Sequence, residues 1–267
     1  MKSNSGHLIA KDYIERLASR GSYHFTSADA RGGLKVSAPA TKLALNRLSH
    51  QGLIASPARG FYVIVPPEYR SLGCLPAEQF IPALMAQKNQ PYYAGLLSAA
   101  QYFGAAHQRP QEFQVFLERN RRPIKCGKIR VAFFARKRIN DIPVRRFNTP
   151  RGEILVSTPE ATAIDLAGYP NRVGGLDQVA TILSELAEQC DPSLMPAAAD
   201  TAPVPWAQRL GYLLELAGAA DIADSLRNYV EQSAREYTPL VPSRPTKDAE
   251  RLPSWKLLVN AQVEPDL

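Results

Sequence analysis

Apolar residues recur at helical spacing along the first fifty positions. Ile9, Tyr13, Ile14 and Leu17 do so over residues 8–19, and Thr41, Ala44, Leu45 and Leu48 over residues 37–51. A period near 3.6 marks two amphipathic helices. The first is expected to end before Gly21. The second carries Pro39 in its first turn, where a missing amide donor costs little, and stops at Gly52. Between them Thr26 and Ser27 can cap a short helix through Ala30, and Gly32-Gly33 is expected to break it. The period then changes to two. Ile54 opens one strand, Phe61, Val63 and Val65 alternate along another, and Ser56-Pro57-Ala58-Arg59-Gly60 separates them before Pro66-Pro67 ends the module. This order is that of a winged helix-turn-helix, a unit that places one helix in a DNA major groove.

Beyond residue 70 the pattern is mixed. Helices are expected over 77–87, 92–103, 159–166 with Thr158 as cap, 176–188, 206–216 and 222–232. Strands are expected over 112–117, 129–134, 154–156 and 255–259, with an extended, proline-rich stretch over 238–253. The fold class is therefore α+β. A winged helix-turn-helix domain over 1–70 is followed by a larger mixed α/β C-terminal domain over 71–267.

Charge sharpens this division. Residues 1–70 hold ten Lys/Arg against four Asp/Glu, residues 109–151 hold thirteen against three, and residues 152–267 hold eight against seventeen. Two basic blocks followed by an acidic one point to polyanion contacts in particular places. In the helix over 37–51, Lys42, Asn46 and Ser49 lie opposite Leu45 and Leu48, with Ser37 and Pro39 at the end that approaches base edges. Asn can bond adenine bidentately, and Lys can reach guanine acceptors or a phosphate. Lys35, Arg47 and Arg59 suit phosphate contacts, Arg59 from the wing tip. A second basic surface is formed by Arg119, Arg121, Arg122, Lys125, Lys128, Arg136, Lys137, Arg138, Arg145 and Arg146. It can extend a DNA footprint, bind RNA, meet an acidic partner or be a solvated sheet face. The interleaved Phe113, Phe116, Phe133, Phe134 and Phe147 alternate as strand core residues do.

Other chemistry finds little support. Cys74, Cys126 and Cys190 are far apart in sequence, which argues against a disulfide framework or structural zinc and for reduced thiols. His7, His24, His50 and His107 show no ligand spacing, so no metal or cofactor is expected. There is no phosphate-binding Gly loop and no nucleophile elbow. Glu112, Glu118 and Asp165 with Lys125 or Lys128 would be the carboxylates and lysines of a nuclease. Asp165, however, sits in an apolar-flanked helix that suits an internal anchor, so no catalytic residue is assigned. The first apolar stretch is interrupted by Lys11, Asp12, Glu15 and Arg16, and no run nears the ~20 residues of a membrane helix. The expectation is a non-enzymatic protein of the cytoplasm that makes no use of a membrane.

Two stretches carry a family resemblance. YYAGLLSAAQYFGAAHQRPQEFQVF (92–116) and RGEILVSTPEATAIDL (151–166) resemble the AbiEi family, the antitoxins and autoregulators of AbiE bacterial toxin–antitoxin systems in phage abortive infection. The closing WKLLVN (255–260), followed by Glu264 and Asp266, is also similar. Tyr92, Tyr93, Ser98, His107, Ser157, Thr158, Glu160 and Asp165 occupy the matching motifs. The resemblance implies repression of the protein's own operon through inverted repeats in double-stranded operator DNA. It also implies that the C-terminal domain neutralises a cognate nucleotidyltransferase-type toxin. The residues alone leave open a transcriptional regulator whose C-terminal domain senses a ligand or oligomerises.

Overall fold

A computed structural model describes residues 5–105 and 111–266. In chain order the elements are α1 (Ser5–Ser19), β1 (His24–Thr26), α2 (Ser27–Leu34), α3 (Ala38–His50), β2 (Ile54–Ala58), β3 (Phe61–Ile64), α4 (Ala77–Lys88), β4 (Tyr92–Ala94), α5 (Leu96–Tyr102), β5 (Phe113–Leu117), β6 (Ile124–Cys126) and β7 (Ile129–Ala135). They continue with β8 (Val144–Thr149), β9 (Gly152–Ser157), α6 (Pro159–Gly168), α7 (Leu176–Leu186), α8 (Met195–Asp200), α9 (Val204–Leu216), α10 (Ala220–Ser233), β10 (Thr238–Pro239), β11 (Glu250–Leu252) and β12 (Leu257–Val259). The chain divides into two compact units. One is formed by residues 1–92, 111–135 and 146–155, and the other by 93–110, 136–145 and 156–267.

In the first unit, α1, α2 and α3 enclose a core of Tyr13, Ile14, Phe25, Leu34, Leu45, Leu48, Ile54 and Ile64. The Tyr13 ring meets Phe25 edge-on at 5.6 Å. The strands pair antiparallel in the order β1-β3-β2, with His24 opposite Val63 and Ile54 opposite Ile64. The other sides of these strands, through Ala55, Phe61 and Val63, join a second core with Phe80, Leu84, Met85, Val115, Leu117, Val131 and Phe133. There β7 pairs parallel with β5 and antiparallel with β6. This unit is larger than the 1–70 segment, because the apolar underside of the wing is covered by residues from α4 to β7.

In the second unit, α6 is buried along its length; α5, α7, α8 and α9 pack against it, and α10 packs on α8 and α9. A buried ion pair lies at its centre. Arg136 Nε donates to Asp165 Oδ1 at 3.0 Å, and Tyr93 Oη donates to Asp165 Oδ2 at 2.7 Å. Arg136 also donates to the Thr201 carbonyl at 3.0 Å and lies 4.8 Å over the Trp206 ring. Burial pushes the Asp165 carboxyl up, against the opposing pull of Arg136 and the Tyr93 hydroxyl. The C-terminal segment closes the unit. Trp255 is fully buried against Gly211, where a Cβ would lie 2.2 Å from the indole. Gln208 Nε2 donates to the Lys256 carbonyl at 2.8 Å.

The structure departs from the sequence expectations at several elements. Gly32-Gly33 does not break α2; both glycines lie inside it. The helix ends at Lys35, which takes the left-handed conformation at φ 54° and donates its N–H to the Arg31 carbonyl at 3.0 Å. Gly33 is there for packing: a Cβ on it would lie 2.2 Å from Tyr13 Cε2, whereas one on Gly32 meets nothing within 4 Å. The wing is also tighter than expected. Ser56, Pro57 and Ala58 belong to β2, with a bulge between Ala55 and Ala58, so only Arg59 and Gly60 form the turn. The stretch 92–103 is not one helix, since Tyr92–Ala94 is a strand pairing Ala94 with Val156. β6, β8 and α8 were not anticipated, and Trp255 precedes the last strand instead of opening it.

Two tests follow from these contacts. Gly32→Ala should stabilise by roughly 0.5–1 kcal/mol through helix propensity, while Gly33→Ala should destabilise by about 1–3 kcal/mol through overpacking on Tyr13. Urea unfolding of the two variants should therefore shift in opposite directions; a shared sign would remove the packing role. Arg136→Met strands the Asp165 carboxylate and should cost about 3–5 kcal/mol. Tyr93→Phe removes one hydrogen bond to that carboxylate and should cost roughly 1–3 kcal/mol.

Candidate nucleic-acid interface

The starts of α2 and α3 are each set by a cap. Thr26 Oγ1 accepts from the Asp29 amide at 3.1 Å while Asp29 Oδ2 accepts from the Thr26 amide at 2.8 Å, a reciprocal capping box. Ser37 caps α3, its Oγ accepting from the Ala40 amide at 3.4 Å, and Pro39 lies in the first turn. The turn between the helices consists of Lys35, Val36 and Ser37. Thr41, Leu45 and Leu48 anchor α3 in the core. That fixes which face remains free, because the helical period places the positions between them outward.

The free face of α3 carries Lys42, Leu43, Asn46, Arg47, Ser49 and His50, all exposed, with Pro39 exposed in the first turn. Lys35 is exposed beside the start of the helix, and Arg59 is exposed at the tip of the β2–β3 wing. Among the described residues no ion-pair partner is found for Lys35, Lys42, Arg47 or Arg59. Their charge is therefore available to a phosphate without first breaking a protein contact. Ser37 differs from the others, since its hydroxyl already serves the helix amides. Leu43 was missed by the sequence reading. It is 59% exposed in the middle of this polar face. The helical period places Leu43 one position beyond Lys42 on the outward side, away from Thr41, Leu45 and Leu48.

The basic block over 109–151 is divided between the two units. Arg119, Arg121, Arg122, Lys125, Lys128 and Arg146 belong to the first unit, and Arg136, Lys137, Arg138 and Arg145 to the second. Arg136 is not at the surface at all: it is 4% exposed, because Asp165 and Thr201 take up its donors. Arg121 is half-buried at 5.3 Å over Phe133, and burial draws its pKa down. Arg138 is held by Asp141 at 2.9 Å, Arg146 by Glu153 at 3.0 Å, and Arg145 lies over Phe103 at 6.0 Å. The exposed residues left without such partners are Arg119, Arg122, Lys125 and Lys128 in the first unit and Lys137 in the second. In the first unit β6, with Lys125, runs beside the wing strand β2.

The motif residues are interior. Tyr93, Ser98, Ser157, Glu160 and Asp165 are buried, as is Thr158, which caps α6 through the Ala161 amide at 3.4 Å. Ser157 and Thr162 share a hydroxyl hydrogen bond of 2.7 Å, and Glu160 Oε1 accepts from the Asp191 amide at 2.9 Å. Tyr92 is half-buried, and His107 lies outside the described residues. Asp165 is closed to a metal or substrate by Arg136 and Tyr93, as suits the internal anchor that its apolar-flanked helix suggests. Among the described residues no group of three or more His, Cys, Asp or Glu could hold a metal ion. No described helix is long and apolar enough to cross a membrane.

Comparison with known proteins agrees with this layout. The crystal structure of the RV2827C protein from Mycobacterium tuberculosis matches with a TM-score of 0.67 over 94% of this chain and 91% of that one. At 17% sequence identity this shows a shared fold. No curated protein matches the sequence. Residues 12–65 match the family model described as transcriptional regulator, AbiEi antitoxin, and residues 93–216 match the AbiEi antitoxin C-terminal domain. Both descriptions are regulatory, and neither names a catalytic activity. The two matches fall in chain order on the winged helix-turn-helix and on the segment that holds the Tyr93–Asp165–Arg136 network: the chain belongs to the AbiEi antitoxin family.

Proposed function

We propose that this protein represses its own operon by seating α3 in the major groove of inverted repeats in its operator. We propose also that residues 71–267 provide the domain that neutralises a nucleotidyltransferase-type toxin. The observation that carries the DNA half is the outward stripe of α3, in which Lys42 and Asn46 flank an exposed Leu43. Asn46 can read adenine and Lys42 guanine, while Leu43 offers an apolar contact to a thymine methyl. Lys35, Arg47 and Arg59 then hold phosphates, and Ser37, Pro39 and Ser49 frame the approach. The exposed Arg119, Arg122, Lys125 and Lys128 belong to the same compact unit as α3, which supports their extending the phosphate footprint. The toxin half rests on family membership. This function places the protein in the cytoplasm, where operator and toxin are both found.

Gel-shift titrations on the upstream region test the interface. Asn46→Ala and Lys42→Ala should each lose about 1–3 kcal/mol of specific binding. Arg59→Ala should weaken all sequences alike and lower the salt slope by ~0.9. Unchanged binding in all three would sink the recognition-helix assignment. For the toxin half, the full-length Lys42→Ala/Asn46→Ala chain should lose repression yet still rescue growth when the neighbouring toxin gene is expressed from a separate promoter. If rescue disappears together with repression, the antitoxin assignment of residues 71–267 fails.

A further inference from the structure

Cys74 and Cys126 are distant in sequence but adjacent in the first unit. The Lys128 amide donates to the Leu72 carbonyl at 2.7 Å, which runs the segment after Leu72 past the segment before Lys128. Counting two residues inward on each side reaches Cys74 and Cys126. The residues between them are Gly73 and Gly127, at φ 68° and 56°. A Cβ on Gly73 would lie 3.3 Å from Gly127 Cα, and one on Gly127 would lie 2.1 Å from the Leu72 carbonyl oxygen. Two glycines in a row of contact allow the backbones to approach closely enough for the flanking sulfurs to meet. Both cysteines lie in one buried core with Ala55 of the wing strand β2, where each thiol shifts the other's titration and the Ser56 amide reaches the Cys126 sulfur.

The two thiols are inequivalent. Hydrogen bonding from Cys74 draws the Cys126 thiol below its ordinary value, while the same contact and burial push Cys74 up. Cys126 keeps 8% exposure and Cys74 none. Cys126 alone of the pair keeps any exposure, so it is the thiol open to an incoming oxidant. The third cysteine, Cys190, belongs to the second unit, and burial pushes its pKa up to about 12.

We propose that Cys74 and Cys126 are a redox-active dithiol, which closes to an intramolecular disulfide on reaction with a small-molecule disulfide. In the first step Cys126, as thiolate, attacks one sulfur of the oxidant. The oxidant's S–S bond breaks and one thiol departs with the proton that Cys126 released. Cys74 then loses its proton and attacks Cys126 Sγ, expelling the second thiol. Two protein thiols are oxidised and one small disulfide is reduced to two thiols. Because the Cys126 sulfur accepts from Ser56, closure alters the acceptor under the β2 bulge, three residues from Arg59. The consequence for DNA rests on the proposed operator binding; the dithiol chemistry does not.

The test uses the full-length Cys190→Ala protein, which retains only these two cysteines, treated with oxidised glutathione under native conditions. Intact mass should fall by two hydrogens, both thiols should become unreactive to maleimide, and digestion should yield one linked peptide pair containing Cys74 and Cys126. Dithiothreitol should reverse all three. A stable glutathione adduct without the linked pair, or closure only in denaturant, would overturn the dithiol. In a gel shift the oxidised protein should bind the operator roughly three- to tenfold more weakly than the reduced form, the size of one hydrogen bond. Equal affinity of the two forms would overturn the coupling to the wing. If reduced protein binds no operator, the DNA-binding proposal has failed, and the mass measurement still decides the dithiol.

Discussion

A guanidinium without access to water organises the second unit. Arg136 must be neutralised where it lies, and the fold supplies Asp165 from α6, Thr201 after α8 and the Trp206 ring from α9. Removing two charges from water costs several kcal/mol per ion, repaid only if geometry is good and the remaining polar atoms are bonded. Here both Asp165 oxygens accept and Arg136 donates from all three nitrogens. Each partner comes from a different element, so the pair is satisfied only when β4, α6, the end of α8 and α9 are all in place. An arrangement that fails by one partner leaves a buried charge. This makes the pair a specifier of one packing more than a source of net stability.

The first unit is governed by close approach. Gly33 lets α2 lie against Tyr13 of α1, and Gly73 and Gly127 let two turns cross with backbone in contact. In each case the missing Cβ is the feature on which the packing depends, and in each case the neighbour is not nearby in sequence. α3 inherits its orientation from this. Its inner residues are held by Tyr13, Phe25 and Ile54 in one core, so its outer face is fixed without any residue of that face contributing.

This explains what was legible in the sequence. Periodicity located α1, α3, β3, α4, β5, β7, α6, α7, α9 and α10, because each repeats its apolar positions often enough to show a period. It failed at Gly32-Gly33, where glycine was read as a turn signal and is a packing residue. It failed at Tyr92–Ala94, three residues too short to show alternation before α5 continues the apolar run. β6 has only three residues and β8 buries none of its six, so neither shows an apolar alternation. The outward polar stripe of α3 was readable because a helix has one period and Leu45 and Leu48 set its phase. The burial of Arg136 and the meeting of Cys74 with Cys126 depend on partners 29 and 52 residues away, a relation that no local pattern encodes.

The residues that reveal the family and those proposed to act are different residues, and burial accounts for this. Tyr93, Ser98, Ser157, Glu160 and Asp165 satisfy one another or the backbone inside the second unit, so none can touch a partner while that unit is folded. A buried polar network constrains sequence tightly, since one lost member leaves another unsatisfied. The outer face of α3 is under no such internal constraint: Lys42, Leu43 and Asn46 could be exchanged without disturbing Thr41, Leu45 or Leu48. On the proposed function, choice of operator can then change on that face while the fold stays the same, as expected when function is carried by a site grafted on a scaffold. Family membership accordingly gives the kind of regulator, and on the proposed function the exposed side chains of α3 select the DNA sequence.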